Sequence, residues 1–178
     1  QLRVGEGLVR LVGTLSSRAS NAAFLKWPND LWIQTEEGRL SKAGGVLFEA
    51  VTQGSRTRTV LGVGLNTAVD QGNDWGSIGD LGVHITPHDL HKTVHAMVAS
   101  LFERVMGLAN PVDDFHRLSA AVLHGSQRFH ELFYRNRPVE ILGLSPSGAL
   151  ILGGEGEPVD DPELIQWSVV QDSVEHIP

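Results

Sequence analysis

The sequence predicts an α+β domain. Three observations carry that reading: short apolar segments with a period of two in the first part of the chain, two long helical stripes in the middle, and a return to short strands and turns after Gly125. With 178 residues, 41% of them hydrophobic, the chain is long enough to bury one ordinary core with a small appended unit. The expected division is a main domain over residues 1–126 and a small C-terminal β unit over 127–178.

Leu8, Leu11, Val12 and Leu15 recur at helical spacing, and Ser16, Ser17, Ser20 and Asn21 end that pattern. Gln1 has no capping signal before it, so the helix is entered in mid-stride and a fragment or shortened homologue is expected. Residues 24–27 read as a strand, Pro28-Asn29-Asp30 as a firm corner and residues 31–34 as a second strand. Residues 45–51 are almost continuously apolar, which predicts a strand covered on both sides. In residues 57–65, Val60, Gly62 and Gly64 fall on one face in line with Asn66, while Leu61, Val63 and Leu65 fall on the other. Glycines on one strand face point to close approach by a ligand or by another element.

Residues 70–82, with Gly72, Gly76, Gly79 and Gly82, read as an irregular loop in which Trp75 is a packing plug rather than a base-stacking ring. Thr86-Pro87-His88-Asp89 is a helix start, followed by the stripe Leu90, Val94, Met97, Val98, Leu101 and Val105, with a stop near Gly107. Asn110-Pro111-Val112-Asp113 repeats the start signal, and Val112, Phe115, Leu118 and Val122 give a second helical face to about Gly125. Strands are then expected over 138–142, 149–152 and 164–170.

The net charge of −7 is concentrated in Glu155, Glu157, Asp160, Asp161, Glu163, Asp172 and Glu175, and the rest of the chain balances. No basic excess supports nucleic-acid binding. With no cysteine, disulfides and thiol chemistry are excluded. No apolar run has the length of a membrane span or the pattern of a signal peptide, so a cytoplasmic protein without membrane contact is expected.

His88, His91 and His95 lack the glutamate of a zinc-hydrolase helix and read as surface histidines. No Gly-x-Ser-x-Gly elbow or phosphate loop occurs. Lys26-Trp27-Pro28-Asn29-Asp30 and Lys42-Ala43-Gly44-Gly45 are more informative. Asp30 could hold a magnesium ion that carries phosphate oxygens. Lys42 is a flexible cation able to stabilise charge on a carboxylate or α-phosphate, and Gly44 and Gly45 let backbone amides approach the same anion.

These blocks, with Lys42 to Glu49 and Val60-Leu-Gly-Val-Gly-Leu-Asn66, resemble in order and spacing the central blocks of the biotin protein ligases. Arg137-Pro-Val-Glu-Ile and residues 147–152 resemble that family's small C-terminal β-barrel more weakly. The resemblance implies the biotin/lipoate ligase catalytic fold, a mixed β-sheet with helices on one face, followed by an abbreviated β-barrel-like unit. It implies activation of biotin with magnesium ATP to biotinyl-5'-AMP, then transfer to a lysine of a biotin carboxyl carrier domain, as in acetyl-CoA carboxylase.

By the same resemblance, Lys42 contacts the biotin carboxylate and α-phosphate, Asp30 is the acid needed for adenylation and the metal ligand, and Asn66 lies at the adenine side. Lys26, Trp27, Pro28, Asn29, Gly44, Gly45, Gly62 and Gly64 complete the ligand-binding set. The family's Ser-Thr-Asn segment and Gly-Arg-Gly loop have no counterpart between Gln1 and Pro178, so an N-terminally incomplete catalytic domain is expected. An inactive ligase-like interaction module and a lipoate or octanoyl enzyme are the other readings, and a homodimer is left open.

Overall fold

The structure is a computed structural model that describes residues 1–68, 74–106 and 111–169. Helix α1 (Leu2–Leu15) presents Leu8 and Val12, both fully buried, and ends where Ser16 turns extended. A single helical turn, α2 (Ala19–Ala22), leads into β1 (Ala23–Lys26). Strands β2 (Asp30–Gln34), β3 (Leu40–Gln53) and β4 (Arg56–Leu65) complete a four-stranded sheet in the order β1-β2-β3-β4. All its pairings are antiparallel. Short turns rather than helical crossovers join successive strands, and that connection favours antiparallel neighbours within the expected α+β class.

One face of this sheet is core. Leu31, Ile33 and Ala43 pack with Val12 of α1, Ala19, Ala23, and Ile78 and Leu81 from a short 3-10 turn (Ile78–Leu81). That turn, unsignalled by any periodicity, is fixed by a capping box in which Ser77 and Asp80 bond each other's backbone N–H.

Helix α3 (Pro87–Met106) opens as expected: Thr86 Oγ1 accepts from the Asp89 N–H at 3.1 Å. Helix α4 (Pro111–Ser126) lies so close to β1 that a Cβ on Gly125 would sit 1.9 Å from the Leu25 carbonyl oxygen. Buried Glu6 of α1 pairs with Arg117 of α4, which also binds Asp114 at 2.9 Å. The expected features at Asp70, Gly72, Gly107, Asn110 and Val170 lie outside the described residues.

After α4 come β5 (Glu131–Tyr134), β6 (Arg137–Pro138), β7 (Ile141–Leu144), β8 (Leu150–Leu152) and β9 (Ile165–Ser168). They form a three-stranded sheet, β6-β5-β9, and a two-stranded one, β7-β8, with no closed barrel among the described residues. Tyr134, Ile141, Leu144, Leu150 and Ile165 share a hydrophobic cluster with Leu25, Trp27, Leu118 and Val122, so this unit is packed onto β1 and α4. The single strand expected over 138–142 is interrupted, its two ends serving β6 and β7 in different sheets.

The expectation that residues 45–51 are covered on both sides is overturned. β3 runs on past the body of the sheet with β4, leaving Leu47 57%, Val51 69% and Val60 63% exposed. Apolar side chains there serve β-propensity and cross-strand contact within a two-stranded arm.

Candidate functional site

The face of the sheet opposite α1 carries the chemistry. Asp30 pairs in register with Gly45, and Gly45 with Gly64, so all three lie side by side on adjacent strands. A bulge between Leu31 and Trp32 lets Trp32 pair with Lys42 and inserts an extra residue, Ala43. The bulge turns Ala43 into the core while Lys42 stays on the Asp30 side. Lys42 Nζ lies 2.5 Å from Asp30 Oδ1, with side-chain exposures of 34% and 19%.

Asn29, Asp30, Lys42, Gly45, Gly64 and Asn66 line one open cleft of about 520 Å3, closed on one side by Trp75. Gly44, Val46, Leu47, Gly62 and Val63 complete its floor. The glycines there have different reasons. A Cβ on Gly45 would press on Asp30 Oδ1 at 3.1 Å, and one on Gly44 would fall 2.4 Å from the Gly64 carbonyl. A Cβ on Gly64 would meet nothing within 4 Å, so its missing side chain leaves open space above bare backbone.

The amide residues brace the cleft. Asn29 Nδ2 donates to the Val46 carbonyl at 2.6 Å and its own carbonyl accepts from Val46 N–H, which ties the corner to β3. Asn66 Nδ2 donates to the Gly76 carbonyl at 2.9 Å, and Gly76 N–H donates to the Lys42 carbonyl. Asn66 thus anchors the segment that brings Trp75 to the cleft. Trp75 is not a buried plug: it is 54% exposed, with Lys42 Nζ 5.9 Å from its ring centre. Sequence spacing gave no sign of this, because the residue sits in a glycine-rich stretch without periodicity.

Three residues of the expected ligand-binding set stand outside the cleft. Trp27 is buried and donates from Nε1 to the Gly148 carbonyl at 2.9 Å, joining the corner to the C-terminal unit. Trp27 and Pro28 border a separate cavity of about 670 Å3 between α1, α4 and that unit. Lys26 lies beside the cleft with its ammonium over aromatic rings, and burial lowers its pKa, with Asp30 opposing and Lys42 adding to the shift. Among the described residues no group of three or more His, Asp or Glu side chains could hold a metal ion, and Asp30 contributes a single carboxylate already paired with Lys42. Such a site fits a magnesium ion delivered on phosphate oxygens, not one caged by protein.

The fold is that of biotin protein ligases. The chain superposes on the apo biotin protein ligase from Aquifex aeolicus with a TM-score of 0.60 and 15% identity, covering 95% of this chain and 71% of that one. On the same organism's enzyme in complex with biotin and ATP the TM-score is 0.61 at 16% identity, over 95% of this chain and 67% of that one. A further structure of that ligase gives 0.61 and 16% over 94% and 69%. No protein-family model matches the chain, and no curated protein does. The likeness is therefore one of fold.

Proposed function

We propose that the cleft binds an acyl-adenylate and that the chain acts as a biotin protein ligase. The observation that carries this reading is the convergence of the Lys42–Asp30 pair, the bare backbone of Gly45 and Gly64, and the Trp75 ring on one concave surface. An acyl-adenylate presents a mixed anhydride, an anionic phosphate and a flat base, and these elements offer a cation, close backbone approach and a stacking face for them.

In the first half-reaction a biotin carboxylate oxygen attacks the α-phosphorus of ATP, a P–O bond forms, and the bond to the leaving pyrophosphate breaks. Lys42 turns from Asp30 toward the negative charge on the carboxylate and α-phosphate, which it stabilises most where that charge is concentrated. Asp30 would hold a magnesium ion carried by the triphosphate, and that ion would supply charge neutralisation at the leaving pyrophosphate. In the second half-reaction the neutral amine of a carrier-domain lysine attacks the acyl carbon. The acyl–oxygen bond to AMP breaks, AMP leaves with the electron pair, and the new amide nitrogen loses its proton to solvent.

The test is biotin-dependent exchange of labelled pyrophosphate into ATP, followed by biotin transfer to a purified carrier domain. Exchange by the wild-type chain that falls by about 100-fold in Lys42→Ala is the expected result. Absence of both exchange and transfer with wild type would overturn the ligase reading.

A further inference from the structure

Lys26 ends β1 and is the register partner of Asp30. Its Nζ lies 4.9 Å from the centre of the Trp32 ring and 5.4 Å from that of Trp167. Trp32 belongs to β2 of the main sheet, whereas Trp167 belongs to β9 of the C-terminal unit. Phe129 bridges the two indoles edge-on, with centroid distances of 5.3 and 4.8 Å. Trp32 Nε1 is buried without a hydrogen-bond partner, so what that indole offers is its ring face. An ammonium held over two indoles is attracted by both ring quadrupoles.

We infer that Trp167 is a positioning residue for the cleft: with Trp32 it fixes the Lys26 ammonium beside Asp30, so that Asp30 keeps a countercharge when Lys42 leaves it for an anionic ligand. This rests on the acyl-adenylate reading above. Lys42 has one ammonium, and its short contact with Asp30 competes with any contact to an incoming carboxylate or phosphate. In the biotinyl-5'-AMP state, which carries no magnesium triphosphate, that release would leave the partly buried Asp30 carboxylate without a cation. Lys26 does not line the cleft, and its cross-strand register with Asp30 keeps it on that carboxylate's side of the sheet while Lys42 moves. Burial lowers the Lys26 pKa, while Asp30 raises it and Lys42 lowers it further.

The experiment is calorimetric titration of the full chain with a non-hydrolysable biotinyl-5'-AMP analogue. The proteins compared are wild type, Trp167→Leu, Trp167→Phe, Lys26→Met and the Lys26→Met/Trp167→Leu double variant. Leucine keeps apolar bulk without a ring face, and phenylalanine restores one. Trp167→Leu is expected to weaken binding about 5- to 20-fold and Trp167→Phe less than about 3-fold. The double variant should bind no more weakly than Lys26→Met, because Trp167 acts through Lys26. In the free protein the Lys26 ε-methylene proton resonance should be ring-shifted in wild type and Trp167→Phe and return to its ordinary position in Trp167→Leu. Additive losses in the double variant, or an unshifted Lys26 resonance in wild type, overturn the positioning role alone. A wild-type chain that does not bind the analogue overturns the acyl-adenylate reading and the countercharge role with it.

Discussion

Lys42 Nζ meets Asp30 Oδ1 at 2.5 Å across two strands, and the contact depends on a bulge that turns Ala43 into the core so that Lys42 remains on the Asp30 side. The pair is partly exposed, so its contribution to stability is small, on the order of 1 kcal/mol or less. Lys42→Ala and Asp30→Ala should therefore unfold within about 1 kcal/mol of wild type in urea while binding a biotinyl-5'-AMP analogue at least ~10-fold more weakly. Equal losses of stability and affinity would mean that the pair is structural.

The glycines of the cleft separate fold from function. Gly44→Ala drives a Cβ into the Gly64 carbonyl and should cost roughly 1–3 kcal/mol of stability. Gly64→Leu points into open space, so its midpoint of unfolding should stay near wild type while the side chain occupies the cleft and lowers analogue affinity by ~10-fold or more. Denaturant unfolding and calorimetry on the two variants check this opposition.

Trp27→Phe removes the Nε1 donor to the half-buried Gly148 carbonyl, the side-chain hydrogen bond that joins the corner to the C-terminal unit. A loss of about 1–3 kcal/mol in unfolding free energy is expected, with cleft affinity unchanged, because Trp27 faces the C-terminal unit rather than the cleft.

Lys26 has a folded-state pKa below its ordinary 10.5, through burial first and Lys42 last, with Asp30 opposing. The unfolded chain therefore binds more protons at this site, and the native state carries a penalty that is full below the folded pKa. As pH rises through the folded pKa toward 10.5 the penalty disappears, so this group's contribution to stability increases with pH. Urea unfolding of wild type and Lys26→Met from neutral to alkaline pH should show wild type gaining on the variant.

The sequence made part of this legible because period-two and period-3.6 patterns report which face of an element is special. The alternation of Gly62 and Gly64 with Val63 and Leu65 placed the bare face correctly, and Thr86 and Asp89 placed the start of α3. What covers a strand is not written in the strand itself, so the exposed arm at Leu47, Val51 and Val60 read as interior. The β5–β6 turn was hidden for a local reason: Arg135 and Asn136 take positive φ of 50° and 61° with no glycine to signal it. Lys26 was placed with the ligand contacts by its neighbours in sequence, whereas Trp167, over whose ring its ammonium also lies, belongs to the far end of the chain.

The central claim is that the Asp30–Lys42 face, and not the larger cavity beside Trp27, is where an acyl-adenylate binds. Titration of 15N-labelled chain with a biotinyl-5'-AMP analogue, followed by amide and indole resonances, tests it most directly. Shifts are expected at the amides of Gly45, Gly64 and Asn66 and at the Trp75 indole, with the Trp27 indole unmoved. Shifts clustered at Trp27, Gly148 and Ala149, or no shifts at saturating analogue, would contradict it.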